Sequence, residues 1–500
     1  MKTFLLFRDR DFDAQQPLPP LASELTQDLE LNTLFEAMAA GDEYLFDVAQ
    51  KAILLSLDDL DTIRYRQEIL RDCLQNPDVV RAIYQLPIEA IFNKRKHWMG
   101  IFGHYPSGIL SSALEMMQMF VELLRRLKKI ADEHAAEFQS EGFTRLFSMV
   151  QNELDKAYFG RVEEHLRELR FPDGVLLSAV LGNGNEGAEY ILRKPQRRKG
   201  IKNLFSKRSP VYSFSLHPRD DHGARALSDL KDRGVNQVAN AVAQSTDHID
   251  AFFNMLRLEL AFYIGCLNLH EQLSGLGSPI CFPQPVEHNE RRLSSQGLYD
   301  VCLALTKKQQ VVGNDIDADS KEIMIITGAN QGGKSTLLRS IGLAQFMMQC
   351  GMFVPAEAFS ANTFTGIFTH YKRKEDASMK SGKLDEELSR MSAIADHITP
   401  HSVVLFNESF AATNEREGSE IARQITRALL ERQVKIFFVT HQYEFAHSYY
   451  EQGLDDAIFL RAERKTGGGR TYKLTEGEPL QTSYGRDLYN KIFEVSAESS

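Results

Sequence analysis

Cysteine is sparse in this chain and follows no pattern. Its five thiols, Cys73, Cys266, Cys281, Cys302 and Cys350, include no C-x-x-C pair. That scatter excludes a disulfide framework and a cysteine zinc site, and fits a reducing compartment. Long hydrophobic runs are also missing. The apolar part of Met1 to Arg10 is too short for a secretory leader. The most apolar helical stretch, Leu258 to Leu269, contains Glu259 and falls far short of a bilayer. The expectation is a soluble, cytoplasmic protein with no membrane partner. Nor is there an excess of positive charge. The formal net charge of −10 excludes wholesale adhesion to nucleic acid but leaves room for local basic surfaces. No repeat at solenoid spacing and no long low-complexity segment interrupts the chain.

What is present is an ordinary globular composition, 43% hydrophobic and 25% charged, over 500 residues. One hydrophobic core rarely serves that length, so several domains are expected. Pro17, Pro19 and Pro20 keep the first stretch out of helix interior. From residue 21 to about 170 the pattern is helical; Leu110, Ala113, Met116, Met117, Phe120 and Leu124 recur at three- and four-residue spacing. Asp58 and Asp59 precede a helix beginning near Thr62, and Pro77 and Pro87 are expected to punctuate the helical pattern after it. Val175 to Leu181 and Tyr190 to Leu192, separated by Gly182-Asn-Gly-Asn185, predict a small hairpin. Between Arg193 and Arg208, eight of sixteen residues are basic and none is acidic. A long amphipathic helix is expected from Ala224 to Leu273. Residues 274–300, rich in Gly and Pro, read as a boundary. Beyond it, strand-type runs (Glu322 to Thr327, Ser402 to Phe406, Val434 to Thr440) alternate with helices, the pattern of a parallel sheet flanked by helices.

The first of those strands runs into Gly328-Ala-Asn-Gln-Gly-Gly-Lys-Ser335, which fits G-x-x-x-x-G-K-[ST] and is followed by an apolar helix. Gly328, Gly332 and Gly333 let the backbone curl so that its N–H groups converge on phosphate oxygens at a helix N-terminus. Lys334 is then placed for the β- and γ-phosphates and Ser335 for Mg²⁺. The second strand ends in Asn407-Glu408, which makes Glu408 the candidate general base. The third leads to His441, a candidate for sensing the γ-phosphate. ATP and Mg²⁺ are the expected cofactors.

Taken together these residues resemble the MutS family of ATPases. The resemblance rests on Asn314-Asp315, Ile326-Thr-Gly-Ala-Asn-Gln-Gly-Gly-Lys-Ser-Thr336, Gly351-Met-Phe-Val-Pro-Ala356, Ile367-Phe-Thr369, Thr440-His-Gln-Tyr-Glu-Phe445 and Ser483-Tyr-Gly485, in that order and spacing. It implies an α-helical N-terminal core and lever region over residues 1–285, with a small clamp-like insertion near 171–215. An α/β P-loop NTPase domain of ABC-like type would follow over 286–500. It also implies that Asn314, Gly328, Ala329, Asn330, Gln331, Gly332, Gly333, Lys334, Ser335 and Thr336 bind ATP. Lys334, Glu408 and His441 would serve catalysis, and Ser335 and Asn407 the metal. The family works as a dimer in which a signature loop completes the partner's site; here that loop is Ser378 to Lys383, with Ser381 on the γ-phosphate.

Departures from the family pattern carry their own expectations. Asn407 stands where the family has Asp, which removes one charge that helps hold hydrated Mg²⁺ and predicts slow ATP hydrolysis. Val311 replaces an aromatic near the adenine, and Tyr472 is the candidate substitute. After Glu408, Ser409 to Gly418 replaces the family's Gly-Arg-Gly-Thr-Ser run. The amino-terminal mismatch-reading and connector domains are expected to be absent, and the Phe120-Val-Glu122 triplet reads as core. Mismatch recognition by the usual wedge is therefore not expected.

Two functional readings remain open. Arg193, Lys194, Arg197, Arg198, Lys199 and Lys202 lie where the family places a DNA clamp and could neutralise phosphates; a solvated basic loop explains the run equally well. The first reading is an ATP-switched homodimeric DNA clamp. The second is a protein-interaction switch using the same dimer without nucleic acid. An ABC or SMC-type ATPase would carry a Leu-Ser-Gly-Gly signature, and none is present.

Overall fold

The computed structural model describes residues 1–97, 105–194, 212–373, 382–464 and 470–480. In chain order the helical half comprises α1 (Ala22–Asp28), α2 (Leu31–Ala39), α3 (Glu43–Leu54), α4 (Leu60–Gln75), α5 (Pro77–His97), α6 (Pro106–His134), α7 (Glu141–Glu153) and α8 (Lys156–Glu168). A hairpin, β1 (Leu176–Leu181) and β2 (Gly187–Arg193), and the long α9 (Asp221–Gly275) follow. Then come β3 (Gln284–Val286), β4 (Leu293–Leu298), α10 (Val301–Lys307), β5 (Asn314–Asp317), β6 (Ile323–Thr327), α11 (Lys334–Gln349), β7 (Ala358–Asn362) and β8 (Ile367–Tyr371). The last elements are α12 (Lys383–His397), β9 (Val403–Asn407), α13 (Glu415–Glu431), β10 (Lys435–Val439), α14 (Tyr443–Glu451), β11 (Ala457–Arg464) and β12 (Arg470–Glu476).

By compactness the chain forms two units. One holds residues 1–3, 78–138 and 143–257, the other 4–77, 139–142 and 258–500. By compactness, residues 4–77 group with the P-loop half.

In the smaller unit the helices pack through their apolar stripes. Phe120, fully buried, lies 5.7 Å from Phe253 between ring centres, so the Phe-x-Glu triplet is packing. Leu110 and Leu114 of α6 meet Val235 and Ala239 of α9. Pro77 opens α5, where its missing N–H is harmless, but Pro87 sits inside the helix rather than ending it. Burial of Ile83, Leu86 and Ala90 around it explains the tolerance, because packing outweighs one lost backbone hydrogen bond. The hairpin forms as expected, antiparallel, pairing Leu176 with Arg193 and Leu181 with Gly187.

The larger unit carries two sheets. Six strands run in the order β12-β11-β6-β10-β9-β8, and four in the order β3-β7-β4-β5. The three strands expected from sequence, β6, β10 and β9, are parallel neighbours at the centre of the larger sheet. Residues 274–300 are more than a boundary, since they supply β3 and β4. Pro285 is accommodated because β3 is an edge strand, where a missing donor breaks no ladder. The acid inside the most apolar stretch also finds its reason. Glu259, fully buried, accepts the Leu5 amide at 2.7 Å and the Phe12 amide at 3.3 Å, fixing the N-terminal segment. Arg66 adds to this by donating to the Leu6 carbonyl at 2.8 Å. Among the described residues no helix is long and apolar enough to cross a membrane.

Candidate nucleotide site

Strand β6, Ile-Met-Ile-Ile-Thr, is buried along its whole length and ends directly in the glycine-rich loop. The loop needs its glycines for two different reasons. Gly328 has φ +122°, and a Cβ there would stand 2.9 Å from the Ala462 methyl of β11. Gly333 has φ +96° and caps α11, whose N-terminus has no side-chain cap. The first turn of α11 thus has no side-chain cap, a geometry suited to an anion.

Lys334 donates from Nζ to the Gly328 and Ala329 carbonyls, each at 3.0 Å, so its ammonium lies folded over the loop. Burial lowers its pKa to about 8, and only Glu408 opposes that shift. Ser335 donates from Oγ to Asn407 Oδ1 at 2.9 Å, which joins the loop to the end of β9. The next residue, Glu408, takes φ +56°, and its amide donates to the Val439 carbonyl of β10 at 2.8 Å. Its carboxylate meets His441 Nε2 at 2.8 Å. That hydrogen bond is the main reason the Glu408 carboxyl is held below the ordinary carboxylate range; the nearby Lys334 ammonium adds to it.

Five residues singled out in the sequence, Lys334, Ser335, Asn407, Glu408 and His441, therefore converge where β6, β9 and β10 end. The hard oxygens of Ser335 and Asn407, paired beside the loop, suit a Mg²⁺ ion, and the uncapped end of α11 with Lys334 suits a triphosphate. Asn330, Gln331 and Ser335 are exposed, and Thr336 is half-buried, at the same helix end. Gln331 accepts from Arg470 of β12.

Asn314, the implied nucleotide contact, bonds to β12. Its Nδ2 donates to the Tyr472 carbonyl at 3.2 Å, and its Oδ1 accepts the Leu474 amide at 2.8 Å. Both ends of the amide hold β12, and through it Tyr472, whose carbonyl lies 3.3 Å from the Cβ position of Gly333. The Tyr472 side chain is 47% exposed beside the loop.

Sequence reasoning missed the support behind Glu408. His370 on β8 is fully buried; its Nδ1 lies 2.7 Å from Ser409 Oγ and its Nε2 is 2.9 Å from the Glu387 carbonyl. Burial lowers its pKa to about 4, so it is neutral. Gln442 donates to the Phe410 carbonyl at 3.0 Å and pins the next residue. The signal was present in His370 and in the unusual Ser409, but nothing local in sequence links β8 to β9.

Among the proposed DNA contacts, Arg193 donates to Ser178 Oγ at 2.9 Å and Lys194 pairs with Glu168 at 2.6 Å. Arg197, Arg198, Lys199 and Lys202, like Ser381 and Ser483 to Gly485, lie outside the described residues.

Residues 58–276 match the MutS2 N-terminal domain, and residues 324–491 match MutS domain V. The chain belongs to the MutS family. Within that family it is 29% identical to mouse MutS protein homolog 4 over 303 residues, covering 56% of this chain and 30% of that protein. It is 32% identical over 210 residues to the DNA mismatch repair protein MutS of Thermotoga maritima, covering 41% of this chain and 26% of the relative. The corresponding protein of Thermus aquaticus is 31% identical over 184 residues, 36% of this chain and 22% of its own length. The matched segments thus span less than a third of these family members. The α/β character of the larger unit and the helical character of the smaller one agree with the two domain matches.

Proposed function

We propose that this MutS-family chain binds ATP at residues 328–336, hydrolyses it slowly, and uses the cycle to close a homodimer around DNA. The observation that carries this reading is the convergence of Lys334, Ser335, Asn407, Glu408 and His441 at the ends of three adjacent parallel strands. The larger unit is accordingly read as an ABC-like ATPase domain.

In this reading the first-turn amides of α11 and Lys334 bind the phosphates, while Ser335 and Asn407 hold the metal. Mg²⁺ when bound supplies charge neutralisation of the phosphate oxygens. Glu408 receives the proton of the attacking water, and His441 Nε2 orients the accepting carboxylate. A carboxylate stabilised as an anion is a weak proton acceptor, which together with Asn407 argues for slow turnover. Ser381 of a second copy completes the phosphate contacts, so that closure depends on the γ-phosphate.

Calorimetry with Mg-ATP tests the first step; binding is expected in the wild type and absent in Lys334→Ala. Equal heats in both would remove the basis of this reading.

A protein-interaction switch without nucleic acid is the second reading. It is favoured by the ion pair that already occupies Lys194 and by the exposed apolar hairpin, where Leu181 is 72% and Val180 57% accessible. Mobility-shift assays on duplex, mismatched and branched DNA, with and without ATP, separate the two.

A further inference from the structure

Strand β12 is the edge of the six-stranded sheet, next to β11 and beside the nucleotide loop. Its residues match the loop in step. Arg470 donates from its guanidinium to Gln331 Oε1. Two residues further along both segments, Tyr472 lies over Gly333. A Cβ on Gly333 would stand 3.3 Å from the Tyr472 carbonyl and 3.6 Å from the Tyr472 Cβ. β12 therefore runs along the loop as a wall and does more than end a sheet.

That wall is held at some cost. Tyr472 takes φ +60°, a left-handed conformation that a residue with a Cβ adopts rarely, and Gln331 facing it in the loop has the same φ. Asn314 fixes the strand just after the bend, through the Tyr472 carbonyl and the Leu474 amide. Backbone strain kept in place by its surroundings is a feature of ligand sites.

Arg470 brings a charge that the fold does not use. Its side chain is exposed, and among the described residues no carboxylate pairs with it. The group it meets, the Gln331 amide oxygen, is neutral. Arg339 of α11, by contrast, is matched by Asp300 and Glu30. A guanidinium held by a neutral amide is positioned without being neutralised.

Its place along the loop selects the part of the ligand it meets. The amides of such a loop cradle the α- and β-phosphates, while the lysine reaches the β- and γ-phosphates. Gln331 precedes Lys334 by three residues and belongs to the cradle. We propose that Arg470 is a nucleotide-binding residue whose guanidinium, brought to the loop by Gln331, donates to the α- and β-phosphates of ATP and ADP. This assignment rests on the reading of residues 328–336 as an ATP site, and adds to it a cation from outside the loop motif.

The test uses the full chain with Arg470→Gln and Arg470→Lys. Affinity for Mg-ATP and Mg-ADP is measured by calorimetry at low and high salt. Because Arg470 is exposed, both variants are expected to fold. Arg470→Gln is expected to bind both nucleotides about tenfold more weakly at low salt, the lower end for a charged hydrogen bond. The loss should be equal for ATP and ADP, and should shrink at high salt because an exposed charge is screened. Arg470→Lys keeps the charge and is expected to recover most of the affinity. Wild-type affinity in Arg470→Gln, a loss confined to ATP, or an equal loss in Arg470→Lys would each overturn the proposal; the last would leave Arg470 only a brace for Gln331. A wild-type chain that binds no nucleotide removes the ATP reading itself. Binding in the wild type that Arg470→Gln leaves unchanged removes this assignment alone.

Discussion

Across 2.8 Å, His441 Nε2 at the end of β10 reaches the carboxylate of Glu408 at the end of β9. Neighbouring parallel strands bring together two residues that are far apart in sequence, and the hydrogen bond keeps the carboxyl ionised.

Glu408→Gln should slow ATP hydrolysis about 10²- to 10⁴-fold, the span of a lost general base, with little change in nucleotide affinity. Single-turnover hydrolysis and equilibrium binding separate the two effects. A variant that binds ATP poorly but turns over what it binds at the normal rate would contradict the assignment.

The same pair predicts a pH dependence of stability. Glu408 has a folded-state pKa below its unfolded value, so its contribution is present above the ordinary carboxyl range and is lost as pH falls through the folded value. His441→Ala should therefore lower the melting temperature near neutrality, and the difference from wild type should shrink below about pH 4. A gap that stays constant with pH would exclude this cause.

Lys334 carries the opposite sign. Its pKa is lowered to about 8 by burial, so the ammonium weighs against the ligand-free fold below that pH. Lys334→Met should match or exceed the wild type in stability at pH 7, and that advantage should fade as pH rises beyond about 8. Thermal unfolding of both chains over pH 6–10, without nucleotide, measures it.

Asn407→Asp restores a charge beside Ser335 Oγ, which now donates to Asn407 at 2.9 Å. The variant should need less Mg²⁺ for half-maximal activity and should hydrolyse ATP faster. Equal rates and equal Mg²⁺ dependence would show that the amide is not what slows the chain.

Ser409→Ala removes the hydroxyl beside His370 Nδ1 and leaves a buried nitrogen without that partner. A loss of about 1–3 kcal/mol in unfolding free energy is expected. Because the turn carries Glu408, the hydrolysis rate should fall while nucleotide affinity holds.

Replacement of Arg197, Arg198 and Lys199 by Glu discriminates the DNA reading. If these side chains neutralise phosphates, affinity at low salt falls and the salt slope decreases by about one for each phosphate no longer neutralised. Unchanged DNA retention at low salt would refute the clamp.

Local sequence was enough for whatever depends on short-range geometry. The Gly328 to Ser335 loop, its strand and its helix follow one another within a few residues, so spacing and residue type define them. The α4 start is legible for the same reason, since Asp59 accepts the Thr62 amide only three residues away at 2.9 Å. The hairpin and α9 declare themselves through periodicity.

Tertiary structure decided what depends on packing between distant segments. Pro87 reads as a break yet lies within α5, because burial of its neighbours outweighs one missing donor. Glu259 reads as an oddity until the Leu5 and Phe12 amides, some 250 residues away, are seen on it. His370 behind Ser409 and Asn314 of β5 against β12 owe their roles to strand order, which no local pattern encodes. Burial turns an otherwise ordinary side chain into an unsatisfied charge or a fixed hydrogen bond, and burial belongs to the folded whole.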